Sequence, residues 1–233
     1  IANWGAVPRW RPQFASADAD VITDLGATPM TWLIFADDAG IADPVMSRLS
    51  DAGHTVVSVR AGDAFAQVSD TCFTIAAEQG RAGYDQLIAA LTEADQMPDR
   101  IGHFWLTDDV QAPRPGSSTF DRNIEQGFWS LTWLAQSLTE AGVDKPLHLS
   151  VFTAGAMQVR DEALDHPEKA MISGPVGVFA RELPGVSCAQ VDLESLHRPL
   201  PAKRGWFAKG PIEAAAEDVT DRVIEDLMAS PAN

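Results

Sequence analysis

The residues best suited to chemistry in this chain are two aspartate pairs. Asp37-Asp38 and Asp108-Asp109 each follow an apolar run, Thr31 to Ala36 and Ile101 to Leu106. If both runs are strands of one parallel sheet, both pairs fall at its carboxyl edge, where α/β proteins build ligand sites. Convergent carboxylates could hold a hard cation; the same residues serve equally as turn and helix N-cap aspartates, and that is the reading adopted here. The five histidines (His54, His103, His148, His166 and His197) include no i, i+3 or i, i+4 pair, and His103 and His148 fall inside apolar runs, as core residues do. There is no Gly-x-Ser-x-Gly elbow, and neither Cys72 nor Cys188 has a nearby histidine that would activate a thiol. We assign no catalytic, cofactor-binding or metal-binding residue to this chain.

The elements that would position those residues alternate between strand and helix patterns. Thr31 to Ala36 reads as a central strand, Ile41 to Ala52 as a helix stopped by Gly53, and His54 to Arg60 as the next strand. Cys72 to Ile75 reads as an edge strand, Tyr84 to Ala94 as an amphipathic helix, and Ile101 to Leu106 as a fourth main strand. Gln111 to Ser118 is a Pro/Gly/Ser-rich loop. Phe120 to Ala141 is the longest helix pattern, apolar over so much of its circumference that more than one face must be covered. Pro211 to Met228 closes the chain as an amphipathic helix with proline in its first turn.

The first strand-helix-strand unit is where a dinucleotide fingerprint belongs. Its turn needs closely spaced glycines so that the backbone can approach a pyrophosphate at a helix N-terminus. Here the turn is Ala36-Asp37-Asp38-Ala39-Gly40, with one glycine and two carboxylates. Their repulsion opposes a helix-dipole attraction of only ~0.3–1 kcal/mol. The turn is therefore expected not to hold NADPH.

Leu147 to Glu194 organises the rest. An apolar run ends in Ala154-Gly155, a polar loop closes on His166-Pro167-Glu168-Lys169, Ala170 to Leu183 has helical spacing, and Val186 to Leu193 is a further strand: a parallel βαβ unit. Its words are Val151-Phe152-Thr153-Ala154-Gly155-Ala156, His166-Pro167-Glu168-Lys169-Ala170, Gly174-Pro175 and Arg181-Glu182-Leu183-Pro184-Gly185. In that order they resemble the fifth strand, fifth helix and sixth strand of a short-chain dehydrogenase/reductase. More closely, they resemble the N-terminal, non-catalytic half of a type I modular polyketide synthase ketoreductase, and the likeness reaches back to about Thr31.

The resemblance implies that this half is inert. Active relatives use Tyr-x-x-x-Lys, the Tyr as general acid. The family's spacing back from Glu182-Leu183 places the Lys at Lys169 and puts Asp165 where the Tyr belongs. A carboxylate does not replace a phenol as proton donor near neutral pH unless its pKa is strongly raised. The chain's one tyrosine, Tyr84, lies before the fourth strand. Lys169 is accordingly read as a surface lysine at a helix start. The resemblance also implies that NADPH, and the Ser-Tyr-Lys set, belong to a catalytic half beyond Asn233. That half would reduce a β-ketoacyl group carried by phosphopantetheine on an acyl carrier protein.

Composition sets outer limits. The 233 residues are 45% hydrophobic, enough for one α/β core, and carry a net charge of −16. That charge argues against nucleic-acid binding and against docking on anionic membranes. No run approaches the ~20 apolar residues of a membrane span. Two cysteines and no signal peptide suit the reducing cytoplasm, and a start at Ile1 suits an excised piece. The expected fold is a truncated Rossmann-like, three-layer α/β structure with a mostly parallel sheet. Residues 1–30 form an entry segment with Trp4, Trp10 and Phe14, 31–194 the structural subdomain, and 195–233 a linker and helix leading toward the catalytic half. Expected partners are that half and neighbouring synthase modules, with a homodimer as a further option. Two other readings remain: a self-sufficient NADPH-dependent reductase built around Lys169 and Asp165, and a docking or dimerisation module in a synthase without ketoreduction.

Overall fold

The computed structural model describes residues 11, 25–108, 118–142, 145–160, 164, 166–193 and 212–229, with side chains of the last segment described from residue 219 onward. Seven strands form one sheet: β1 (Thr31–Ala36), β2 (Thr55–Ala61), β3 (Ala66–Ser69), β4 (Cys72–Ile75), β5 (Arg100–Leu106), β6 (Leu147–Ala154) and β7 (Val186–Leu193). Their order is β3-β4-β2-β1-β5-β6-β7, parallel throughout except for β3 against β4. Without β3 this is the doubly wound order, whose direction reverses between β1 and β5. The Rossmann-like expectation holds.

Two helical layers cover the sheet because the central strands are apolar on both faces. On one side α2 (Ala82–Glu93), α4 (Ser130–Glu140) and α5 (Ser173–Glu182) pack with Leu33, Phe35, Ile101 and Trp105 in one core. On the other, α1 (Ala42–Asp51) and α6 (Ile212–Met228) pack with Trp32, Ile34, Phe104 and Phe152 in a second. Successive residues of β1 thus enter opposite cores, the period-two signature of a fully sandwiched strand.

The docked α6 is held at several points. Val223, Ile224 and Leu227 are buried, and Arg48 of α1 pairs with Asp221. The Arg100 guanidinium, over the Trp32 ring, donates to the Leu227 carbonyl at 2.5 Å, at the helix C-terminus where a cation is favoured. Gly102 makes the close approach possible. A Cβ there would stand 2.9 Å from Ile34 Cδ1 and 3.3 Å from Leu227 Cδ2.

Two expectations are corrected. Cys72 to Ile75 is not the sheet edge, because β3 folds back on it; β3 is exposed at every position, so no alternation marked it. The long apolar helix is not regular. It runs as α3 (Thr119–Ile124), a π-turn segment (Glu125–Trp129) and α4. Gly127 sits in the π-turn, where a Cβ would stand 2.6 Å from Leu106 Cδ1 and 3.1 Å from Ile172 Cγ2, so the widened turn lays backbone directly on the end of β5. Of the entry segment, residues 1–10 and 12–24, with Trp4, Trp10 and Phe14, lie outside the described residues, as do Asp109, Asp165 and His197.

Truncating Leu227 to alanine tests the docking of α6. A buried leucine at this packed position is expected to cost about 2–5 kcal/mol in urea unfolding; a loss below about 0.5 kcal/mol would mean that α6 contributes nothing to the fold.

Candidate functional site

In a doubly wound sheet the ligand site lies at the carboxyl edge, beside the reversal of strand order. Here that edge is closed by the chain's own side chains. Asp37 is buried, and its carboxylate accepts from the backbone N–H of Ile41 at 2.9 Å and of Ala42 at 2.8 Å. These are the first N–H groups of α1, the donors that an anion at a helix N-terminus would use. Asp108, just past β5, accepts from Ala39 N–H at 2.7 Å and from Asp38 N–H at 3.4 Å. Arg60, at the end of β2, donates to the Asp37 carbonyl at 3.0 Å and pairs with Asp43.

The same pattern continues toward β7. Asp192 accepts from the Thr153 hydroxyl at 2.6 Å and from the N–H groups of Ala156 and Met157, each at 3.0 Å. It therefore ties down the loop that leaves β6. Lys169 lies in the 3-10 segment Pro167–Ile172 and is fully buried. Its ammonium donates to the Asp108 carbonyl at 2.8 Å and the Ala154 carbonyl at 3.0 Å. This corrects the surface-lysine reading. Helical periodicity of the following residues hid it, because the 3-10 start turns the side chain under the strand ends. Next to it, the buried Asn123 donates to Glu168 Oε1 at 2.5 Å, and His166 Nδ1 stands 3.4 Å from the same oxygen. Asn123 was not singled out by its sequence context; only its place on the apolar face of a helix could have marked it.

Electrostatics follow from this crowding. Burial and the neighbouring Asp37 push the Asp108 carboxyl up to about 6, against the two N–H groups that favour its ionised form. Burial also raises Glu168, but the Asn123 amide and His166 outweigh it and hold it below its ordinary value. His103 is buried under Phe35 with Nε2 3.0 Å from the Ser130 hydroxyl, and desolvation pushes it down to about 3. Desolvation, then Arg100, pushes His148 down to about 4. His54 bridges Met30 N–H and the Leu25 carbonyl. All three act as core and bridging residues. Tyr84 is buried in α2, its ring stacked 6.4 Å from Phe35, and burial raises its phenol. Desolvation pushes Cys188 up to about 11, which disfavours a thiolate. Among the described residues no group of three His, Cys, Asp or Glu side chains could hold a metal ion.

A dinucleotide does not fit this edge. The N–H groups of residues 38, 39, 41 and 42 already have carboxylate partners, and a pyrophosphate would have to displace two negative charges to reach them.

Residues 31–201 match the family described as beta-ketoacyl synthase-like, N-terminal. The chain belongs to that family. No curated protein matches it. Among solved structures, an adenylation, ketoreductase and pseudo Asub multidomain structure of a keto acid-selecting NRPS module is similar at a TM-score of 0.65 and 21% identity, over 85% of this chain and 15% of that one. An N-terminal ketoreductase from the macrolactin assembly line follows at 0.58 and 16%, over 72% and 33%. A short-chain dehydrogenase/reductase family oxidoreductase from Brucella ovis, in complex with a partially ordered NAD, follows at 0.57 and 13%, over 87% and 94%. At these identities the structures share the fold. The family member thus spans only a small part of the first two chains, and the ketoreductase likeness read from its sequence agrees with both.

Two substitutions probe the closed edge. Lys169→Met leaves two buried carbonyls without their charged donor and is expected to cost about 3 kcal/mol in chemical unfolding; an effect below about 0.5 kcal/mol would show that the tether is idle. Asp108 has a folded-state pKa above its ordinary 3.8, so its contribution to stability is full below that value and is lost as pH rises through about 6. Asp108→Asn should therefore gain melting temperature relative to the parent between pH 5 and pH 7.5. A constant difference across that range would refute the crowding of Asp37 and Asp108.

Proposed function

We propose that this chain is the structural, non-catalytic half of a polyketide synthase ketoreductase. It braces a separate catalytic half that binds NADPH and reduces β-ketoacyl groups on an acyl carrier protein, in the cytoplasm. The observation that carries this reading is the carboxyl edge itself: the donors a cofactor needs are held by Asp37 and Asp108. The assembly-line ketoreductases of similar fold support the setting. The family's spacing, which puts Asp165 at the tyrosine position, supports the absence of reduction here. The bracing unit is residues 31–194 together with α6, which packs against α1 and the sheet.

The reading makes a paired prediction. Calorimetric titration of this chain with NADPH should show no saturation up to millimolar cofactor. The catalytic half of the parent synthase, purified separately, should gain solubility and ketoreductase turnover on a β-ketoacyl thioester when this chain is added. Micromolar NADPH binding by this chain alone would sink the reading and favour a self-sufficient reductase; turnover unaffected by its addition would sink the bracing role.

A further inference from the structure

At the opposite, amino-terminal edge of the sheet, His54 directly precedes β2. It is 6% exposed, and its ring stands edge-on to Trp32 at 5.9 Å and 72°. Both ring nitrogens are engaged by the end of the entry segment. Nδ1 lies 3.0 Å from the Met30 nitrogen, and Nε2 lies 2.7 Å from the Leu25 carbonyl oxygen. A backbone N–H can only donate and a carbonyl can only accept. These partners therefore select one species of the ring: the neutral imidazole, with its proton on Nε2 and a lone pair on Nδ1.

The contacts around the ring place the segment closely. Thr55 donates its N–H to the Met30 carbonyl at 3.0 Å, so Met30 is held through both of its backbone groups. Leu25 is buried in the core that contains Trp32 and Leu49. Gly26 passes so near the end of α1 that a Cβ would stand 3.0 Å from the Ala52 carbonyl oxygen. Between the two anchor points residues 26–29 are exposed. One titratable ring thus ties both ends of a turn that otherwise faces solvent.

A second proton on this ring has one place to go, Nδ1. There it sets an N–H against the Met30 N–H, and a buried donor loses its acceptor. The charged neighbours do not offset this. Residues 25–30 carry no ionisable side chain. Beside β1, Arg100 lies over the Trp32 ring, and Asp99 is held by the Thr31 N–H and by Lys145. On α1, Asp51 is exposed, and Arg48 pairs with Asp221 of α6. Among the described residues no carboxylate bonds to the imidazole, whose partners are Met30 and Leu25. The carbonyls that end α1 would favour a cation, but those of Arg48, Leu49 and Ser50 already accept from the N–H groups of Ala52, His54 and Gly53.

We propose that His54 is a proton-operated latch on the entry segment: neutral, it clasps Leu25 and Met30 to the amino edge of the sheet; protonated, it lets both go. The latch is closed above the ordinary imidazole range, about 6.5, and opens as pH falls through it, because the released ring takes up a proton for which the clasped ring has no place. It does not depend on the bracing role.

NMR on the whole chain tests the latch. At pH 8 the ring nitrogen shifts of His54 should show the Nε2–H tautomer, and the Met30 amide should be protected from exchange. Between pH 7.5 and pH 5.5 the protection factor of Met30, corrected for intrinsic exchange, should fall at least tenfold, while those of Ile101 and Gly102 in β5 stay unchanged. His54→Phe keeps a buried ring and removes both bonds; its Met30 protection should be low at every pH. An Nδ1–H tautomer, or Met30 protection that persists at pH 5.5, overturns the latch. So does a fall shared by β5, which is acid unfolding of the whole domain, or a pH response that survives in His54→Phe. If His54→Phe does not fold, the tautomer and the Met30 response of the parent chain decide.

Discussion

Main-chain hydrogen bonding at the carboxyl edge of the parallel sheet is the constraint on which the rest depends. A strand that leaves such a sheet exposes carbonyls and N–H groups that its turn cannot pair internally, and the first turn of the following helix adds more. A cofactor-binding relative can leave some of these to its ligand. In this chain Asp37 and Asp108 take the donors of the β1–α1 turn, Asp192 takes those after β6, and Lys169 takes the carbonyls of Asp108 and Ala154. These groups are thereby paired within the polypeptide, and the misfit with a dinucleotide rests on fulfilled hydrogen bonding as much as on missing glycines.

This solution has an electrostatic cost. Asp37 and Asp108 crowd one another where water is scarce, which is why burial and repulsion together raise Asp108. Charge-assisted bonds to backbone N–H groups are stronger than neutral ones, and at Asp37 two of them hold a carboxylate that is almost wholly buried. The ammonium of Lys169 would be intolerable in the same region without its two carbonyls. Each charge is thus stabilised by main-chain groups, and each fixes one loop to a neighbouring strand.

Most of the fold could be read from the sequence because the central strands are continuously apolar and the helices periodic, so β1, β2, β5, β6 and β7 stand close to where pattern alone puts them. What could not be read had no pattern to carry it. β3 is wholly exposed and exists through its pairing with β4. The π-turn depends on Gly127 meeting Leu106 and Ile172, residues far apart in the chain. At the site, the carboxylates of the β1–α1 turn were legible as a defect of a phosphate loop. Their hydrogen-bond partners were not, because Asp108 reaches the turn from a strand 69 residues away. Lys169 was misread for a related reason: burial of a lysine depends on carbonyls supplied by two other strands.

The π-turn joins the carboxyl edge of the sheet to the aromatic strip. On its inner side Gly127 rests on the end of β5 and on Ile172, three residues beyond Lys169 and its tether. On its outer side it presents Trp129, stacked on Trp133. An ordinary helix spaces its residues so that a glycine pressed on a strand end and a tryptophan two positions later cannot both stay in line with the next turn of the exposed stripe; the wider turn changes that phase. A load applied at the aromatic strip therefore passes directly into the strand ends. Those ends are already fastened to the β1–α1 turn by Asp108 and to β6 by Lys169. Closing the edge and fixing the aromatic strip are then one physical property, because both depend on the strand ends that Asp108 and Lys169 hold.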